Sequence, residues 1–286
     1  QFRLQLVVAH FDHGLRADST RDAAWLEACC AQMELPFRLG RPHSAAPASH
    51  IESWARRERY SFLLKTAEAE SAPWIAVGHT SDDDAETILH HIIRGTGLAG
   101  LTGIPWTRRL SRRVQLIRPC IKASRAELRA IIEERRLEFR EDASNTDRRF
   151  TRNTLRHDLI PLIEQRFNPR FRDALLSLSR QATLAQSELR RQARRILRKA
   201  ILEQTTDRVR LSRQTLVAAR HAVRQEAVVV LWRRMQWPRQ NMSRAHWERA
   251  ASLLGEQGST RHQFPGHVRF ERRGDLVIFE RTQLPG

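Results

Sequence analysis

The chain has 286 residues, room for two domains or one large one. Lys+Arg is 50 against Asp+Glu 32, a formal charge of +18, which points to a polyanionic partner or a membrane surface. No apolar run reaches the length of a membrane span, and no secretory signal opens the chain, so a membrane protein and a secreted disulfide scaffold are set aside.

The basic residues are almost all arginine, with Lys65, Lys122 and Lys199 the only lysines. Arginine grips phosphate in a fork and stacks on bases, which suits nucleic acid. Cys29, Cys30 and Cys120 lack metal spacing, and Cys29 and Cys30 read as core thiols in a helix. A reducing, cytoplasmic location fits them.

In chain order, Leu4 to Ala9 reads as a strand running into H-F-D-H-G-L-R, residues 10–16. His10, Asp12 and His13 are metal-capable by type, but no metal site is assigned. Ser19 or Thr20 can cap a helix to about Glu34, a short strand follows at Pro36 to Leu39, and Pro42 to Ser49 is a loop. A long helix spans Ile51 to Glu70, and its Arg56, Arg57, Arg59 and Tyr60 read as a solvated face.

The most informative stretch is Gly78 to Thr87, G-H-T-S-D-D-D-A-E-T, directly after the apolar strand Trp74 to Val77. Ser81 is the expected cap of the next helix, with Asp84 three residues on. A strand feeding a helix through a tight turn aims His79, Asp82, Asp83 and Glu86 at the ligand crevice of an open α/β sheet. One or two acids in a first helical turn need no function. Three aspartates and a glutamate repel one another unless a cation sits among them.

That helix ends in R-G-T-G-L-A-G-L-T-G-I, residues 94–104, whose glycines allow a sharp turn or a close approach to phosphate. A strand at Val114 to Ile117 and a helix from Ser124 to about Arg136 follow. The segment 141–156 mixes Asn145, Asp147, Arg148, Arg149, Arg152, Asn153 and Arg156 around Phe150, the residue types that read base edges and grip phosphates. Phe171 to Leu202 is one amphipathic helix with Arg190, Arg191, Arg194, Arg195, Arg198 and Lys199 on its polar side. Helices at Thr215 to Trp237 and Ser243 to Gly255 come next. Short strands at His262 to Phe264, Val268 to Arg272 and Leu276 to Arg281 close the chain, the last two joined by the turn 273–275.

These motifs resemble, in order, those of the tRNA(Ile)-lysidine synthetases. H-F-D-H-G-L-R at 10–16 is similar to the family's H-V-N-H-G-L-R, and E-S-W-A-R-R-E-R-Y at 52–60 to E-x-x-A-R-x-x-R-Y. G-H-T-S-D-D-D-A-E-T at 78–87 is similar to G-H-x-x-D-D-Q-A-E-T. R-G-T-G-L-A-G-L at 94–101 and I-R-P at 117–119 follow in family order, and S-N-T-D-R-R-F-T-R-N-T-L-R-H at 144–157 is similar to S-N-x-D-x-x-F-x-R-N-x-I-R-H. The resemblance runs from Leu6 to about Pro169 and fades beyond.

It implies an α/β fold, a doubly wound parallel sheet of the PP-loop ATPase type with its first strand missing. That domain would span 1–165. A smaller, mainly helical tRNA-binding domain ending in short strands would span 166–286. The implied reaction joins L-lysine to C2 of the wobble cytidine of isoleucine tRNA with a CAU anticodon. ATP is consumed to AMP and pyrophosphate, with Mg²⁺ at the pyrophosphate.

His79, Asp82, Asp83, Glu86 and Arg94 fall on the catalytic motif. Ala9, His10, His13 and Gly78 fall on the nucleotide side. Asn145, Asp147, Arg148, Arg152, Asn153 and Arg156 fall on the tRNA side. A homodimer is left open.

Two departures matter. S-G-G-x-D-S, the family's pyrophosphate loop, does not occur in these 286 residues, so a chain truncated at its N-terminus, with weak or no catalysis, is expected. Asp12 and Asp84 replace asparagine and glutamine, adding negative charge. A tRNA-binding remnant without catalysis is the alternative. A tRNA-thiolating relative and a zinc protein on His10, Asp12, His13 and His79 rank below it.

Overall fold

The structure is a computed structural model. It describes residues 4–14, 19–42, 45–47, 49, 51–140, 148, 151–256 and 258–282. The chain divides into two compact units, 1–179 and 180–286.

In the first unit, β1 (Val8–Phe11) pairs in parallel with β2 (Phe37–Gly40), and α1 (Ser19–Gln32) makes the crossover. The first strand thus begins and ends later than the predicted Leu4 to Ala9, because its ladder is set by β2, with Ala9 opposite Arg38. After α2 (Ile51–Ala69), β3 (Trp74–Ala76) pairs in parallel with β5 (Gln115–Ile117). A strand not predicted from sequence, β4 (Thr107–Arg109), adds antiparallel to β5. Its three residues, Thr-Arg-Arg, are all exposed and carry no apolar alternation. Among the described residues no ladder joins β1–β2 to β3–β5–β4, so the α/β sheet is in two pieces.

Ala67, Ile75, Val114 and Leu116 form the core between α2 and the β3–β5 sheet. A second core is more important for the site. Ala85, Ile88 and Leu89 of α3 (Ser81–Ile93), spaced three and four apart on one face, bury against Leu155, Ile160 and Leu175. Leu155 opens a π-helical turn (Leu155–Leu159) between the short helix α6 (Thr151–Thr154) and α7 (Ile160–Arg166). The short helix α4 (Leu98–Leu101) follows α3, and α5 (Arg125–Glu134) starts at a Ser124–Glu127 capping box, as predicted.

In the second unit the predicted long helix is present as α8 (Phe171–Ala200), which begins in the first unit. Its last predicted turn is instead the start of β6 (Ile201–Gln204), which pairs with β7 (Arg208–Ser212), another strand not predicted from sequence. β8 (Thr260–Phe264), β9 (Val268–Arg273) and β10 (Leu276–Arg281) complete a five-stranded antiparallel sheet in the order β6-β7-β10-β9-β8. The β9–β10 hairpin turns at Gly274–Asp275, with Gly274 at φ 58°, as the sequence indicates. The single helix predicted over 215–237 is two, α9 (Arg213–Val217) and α10 (His221–Arg234). With α11 (Arg244–Gly255) they pack on the sheet around Trp232. Trp232 is fully buried, and the rings of Trp237, Trp247, Phe264 and Phe279 stand edge-on to it at 5.0, 5.5, 5.8 and 5.2 Å. Among the described residues no helix is long and apolar enough to cross a membrane.

Trp232→Ala should cost about 3–5 kcal/mol, the range for removing a buried aromatic ring. Urea unfolding followed by near-UV circular dichroism should show the second unit's transition moving to lower denaturant.

Candidate functional site

The turn after β3 carries Gly78, His79 and Thr80 to the start of α3. Thr80, not Ser81, is the cap: its hydroxyl accepts from the Asp83 N–H at 3.4 Å, and Asp83 Oδ2 accepts from the Thr80 N–H at 2.7 Å. The capping box is therefore Thr80–Asp83, one residue earlier than predicted. This register turns Asp83 and Glu86, three apart, toward the same neighbours.

Those neighbours are three arginines. Arg125 gives Nη2–H to Asp83 Oδ1 at 2.6 Å and Nη1–H to Glu86 Oε1 at 3.0 Å. Arg152 gives Nε–H to Glu86 Oε2 at 2.9 Å and Nη2–H to Asp83 Oδ1 at 3.3 Å. Arg156 forks onto both oxygens of Glu86, at 2.7 and 3.0 Å, and reaches Asp83 Oδ1 at 3.3 Å. Glu86 is 1% exposed. An ionised carboxylate at such depth survives only with this kind of pairing. Burial opposes ionisation of both acids, yet the Thr80 N–H and Arg125 hold Asp83 below its ordinary range, and Arg156 and Arg125 do the same for Glu86. Asp82 accepts from the Arg125 backbone N–H at 2.8 Å and pairs with Arg172 at 3.3 Å.

Asp84 points elsewhere. Its Oδ1 accepts from the Ile104 N–H, and burial pushes its carboxyl up. Gly103, at φ +62°, makes this approach possible: a Cβ there would sit 2.1 Å from Asp84 Oδ1. The glycine-rich segment thus folds back onto the helix that precedes it.

His79 is half-buried, and its Nδ1 is buried with no hydrogen-bond partner. Burial lowers its pKa to about 4, with Asp83 opposing the shift and Arg118, Arg152 and Arg56 adding to it. At neutral pH the ring is uncharged. Gly78 is exposed, and a side chain built there would meet nothing within 4 Å, so the turn above β3 is open to a ligand. Ala9 and His10 lie on β1, and His13 comes just after it with its ring edge-on to Phe11 at 4.9 Å. Asp12 is 4% exposed and accepts from the Gly14 N–H at 2.9 Å.

Arg94 is the one expected catalytic residue that the structure sets apart. It is exposed at the C-cap of α3, eleven residues beyond Asp83 and so roughly 16 Å along the helix axis. Arg148 pairs with Asp158 at 2.8 Å, and Asn153 is buried. Asn145 and Asp147 lie outside the described residues. Arg152 and Arg156, expected at the tRNA, hold the carboxylates in this structure. Arg125 and Arg172 were not anticipated; Arg125 is readable only as the residue after a capping serine, and nothing local marks it as a carboxylate partner.

A βα turn presents these acids and arginines above a parallel strand pair, and residues 1–163 match the family model described as PP-loop domain. The chain is 34% identical over 280 residues to a tRNA(Ile)-lysidine synthase of Rhodopirellula baltica, a match covering 88% of this chain and 69% of that one. A tRNA(Ile)-lysidine synthase of Nostoc sp. is 29% identical, over 96% of this chain and 82% of its own. One of Synechococcus sp. is 41% identical, over 57% and 49%. Among solved structures, the U34-tRNA thiolase NcsA from Methanococcus maripaludis superposes with a TM-score of 0.49 at 17% identity, over 63% of each chain. The chain belongs to the tRNA(Ile)-lysidine synthase family, ligases that form lysidine in isoleucine tRNA.

Acid should weaken the fold through this site. Protonating His79 favours the unfolded chain, whose imidazole titrates near 6.5, so stability falls as pH drops from 6.5 toward 4. Asp83 and Glu86, held below 3.8 and 4.5, add stability above those values that is lost further down. An NMR titration should place the His79 midpoint near 4, and His79→Asn should flatten the stability profile between pH 6.5 and 4 while leaving the lower limb.

Proposed function

We propose that this chain ligates L-lysine to C2 of the wobble cytidine of isoleucine tRNA with a CAU anticodon, releasing AMP and pyrophosphate. The buried Asp83–Glu86 pair, wrapped by three arginines at the end of β3, is the observation that carries this reading. ATP, when bound, supplies the activation of C2 by adenylation. The open turn at Gly78 and the ends of β1 at Ala9, His10 and His13 leave room for it. Mg²⁺ fits less directly, because guanidiniums already fill both oxygens of Glu86 and Oδ1 of Asp83, and Thr80 fills Asp83 Oδ2. It would enter on the nucleotide phosphates, with water as its main ligand.

Lysine enters as a cation and needs an anion to hold it. Both oxygens of Glu86 and both of Asp83 are engaged, so one guanidinium must withdraw first. Arg152 is the most exposed of the three, at 41% against 36% for Arg125 and 17% for Arg156. A tRNA phosphate offers Arg152 an alternative partner and opens one acceptor position on Glu86 Oε2 and one on Asp83 Oδ1 for lysine, with Arg125 and Arg156 still in place. In this way Arg152 serves both the tRNA and the site. Arg148, Arg156 and Asn153 flank it, and a cytoplasmic location follows from the substrate.

The test is single-turnover transfer of radiolabelled lysine to an isoleucine tRNA transcript. Asp83→Asn and Glu86→Gln should each reduce transfer by roughly 10²-fold or more, with tRNA affinity nearly intact. Arg152→Ala should weaken tRNA binding and reduce the slope of its salt dependence. If Asp83→Asn instead cost tRNA affinity and spared transfer, the division of roles would be wrong. Salt-sensitive tRNA binding with no lysine transfer by the unmodified chain would support a second reading, a tRNA-binding protein without ligase activity, which the saturated carboxylates favour.

A further inference from the structure

Four arginines of the first unit stand together, and one of them, Arg118, also acts on the charge of the buried Asp84. Arg56 and Arg59 lie on α2, Arg108 on β4, and Arg118 directly after β5. The guanidinium carbons of Arg56, Arg59 and Arg108 stand 4.9, 5.7 and 5.8 Å from the centroid of one ring, that of Tyr60. Arg56 also reaches the Tyr60 hydroxyl, at 3.5 Å, and Tyr60 acts on the charge of Arg118. Arg118 is 3% exposed; its Nη1–H goes to the Pro105 carbonyl at 2.6 Å, and its Nε is buried with no hydrogen-bond partner. Among the described residues none of the four makes an ion pair.

The contrast with the neighbouring cluster is sharp. Arg125, Arg152 and Arg156 converge on two carboxylates, whereas these four converge on an aromatic face. The π face of Tyr60 offsets part of their mutual repulsion. Burial and the neighbouring guanidiniums still weigh against the charged forms of Arg59 and Arg118. An anion would offset the remainder. A guanidinium is planar, keeps its charge and forks onto paired oxygens, so the anion it suits best is a phosphate.

We propose that Arg56, Arg59, Arg108 and Arg118 form a phosphate-binding site around Tyr60, taking the oxyanion of free or nucleotide-borne pyrophosphate or of an RNA backbone phosphate. Ile117 pairs with Ala76 and accepts from the Val77 N–H at 3.1 Å, so Arg118, the next residue, sets the phosphate beside the turn after β3. The site uses none of the residues assigned to lysine or to the nucleotide side, and its occupancy is measurable without lysine transfer.

Arg56 and Arg108 are exposed, so Arg56→Gln with Arg108→Gln should leave the fold intact, which a thermal melt verifies. Inorganic pyrophosphate is titrated by calorimetry, and a short fluorescein-labelled RNA hairpin by anisotropy, against the unmodified chain and the double variant. A second double variant, Arg112→Gln with Arg113→Gln, removes the same charge from two exposed arginines of the first unit that do not stand on Tyr60. At least one probe should bind the unmodified chain saturably and bind the Arg56/Arg108 variant about tenfold more weakly, with the Arg112/Arg113 variant unchanged. Loss of pyrophosphate binding assigns the site to free or nucleotide phosphate, and loss of hairpin binding alone assigns it to RNA. Equal weakening in both variants, unchanged binding in the Arg56/Arg108 variant, or no saturable binding of either probe overturns the proposal.

Discussion

The ion cluster at Asp83 and Glu86 is the constraint on which the first unit depends. Two carboxylates, one of them almost fully buried, are neutralised by three guanidiniums that arrive from α5, from α6 and from the π turn. Removing a buried carboxylate from water costs several kcal/mol, and only close, multiply hydrogen-bonded pairing returns that cost. Each arginine bridges both acids, so the loss of any one loosens the others. The cluster therefore ties together segments 39 to 73 residues apart in sequence.

Apolar packing puts the arginines there. Ile88 and Leu89 press α3 onto Leu155 and Ile160, which fixes the helix that carries Arg152 and Arg156. A π turn admits one extra residue per turn and rotates the residues after it. Here it holds Arg156 beside Arg152, both on Glu86. The Asp84–Ile104 bond closes the other side, where only glycine at 103 permits the approach. The aspartates at 82, 83 and 84 thus do three different jobs: one accepts from the start of α5, one anchors the arginines, and one fastens the glycine-rich turn.

Periodic segments were legible from sequence. The helices at 51–69 and 171–200, the capped start at Ser124 and the β9–β10 hairpin all sit where pattern and turn chemistry put them. Two of the three strands that escaped share a cause; the third, β7, does carry a period-2 signal, with Val209 and Leu211 buried. β4 and β6 are three and four residues long with mostly exposed side chains, so they carry no period-2 signal and exist because a neighbouring strand offers hydrogen bonds. The cap moved from Ser81 to Thr80 because both can cap, and the choice rests on which aspartate can reach back to the cap backbone. Family motifs supplied the identity of the acids, but not their partners.

The sequence alone determined the arginine-heavy charge, the α/β order of elements, and the strand–turn–acid stretch from Trp74 to Glu86. Those are local properties: side-chain type, spacing along the chain and the cap chemistry of a helix start. Only the tertiary structure decided that Arg125, Arg152 and Arg156 meet the acids and that Arg108 joins Arg56 and Arg59 over the ring of Tyr60. A guanidinium can pair with a carboxylate, a phosphate or an aromatic face, and residue type does not choose among them. The packing of α3 against the helix after residue 150 does, because Coulomb attraction and hydrogen bonding act only between groups that the fold has already brought within a few ångströms.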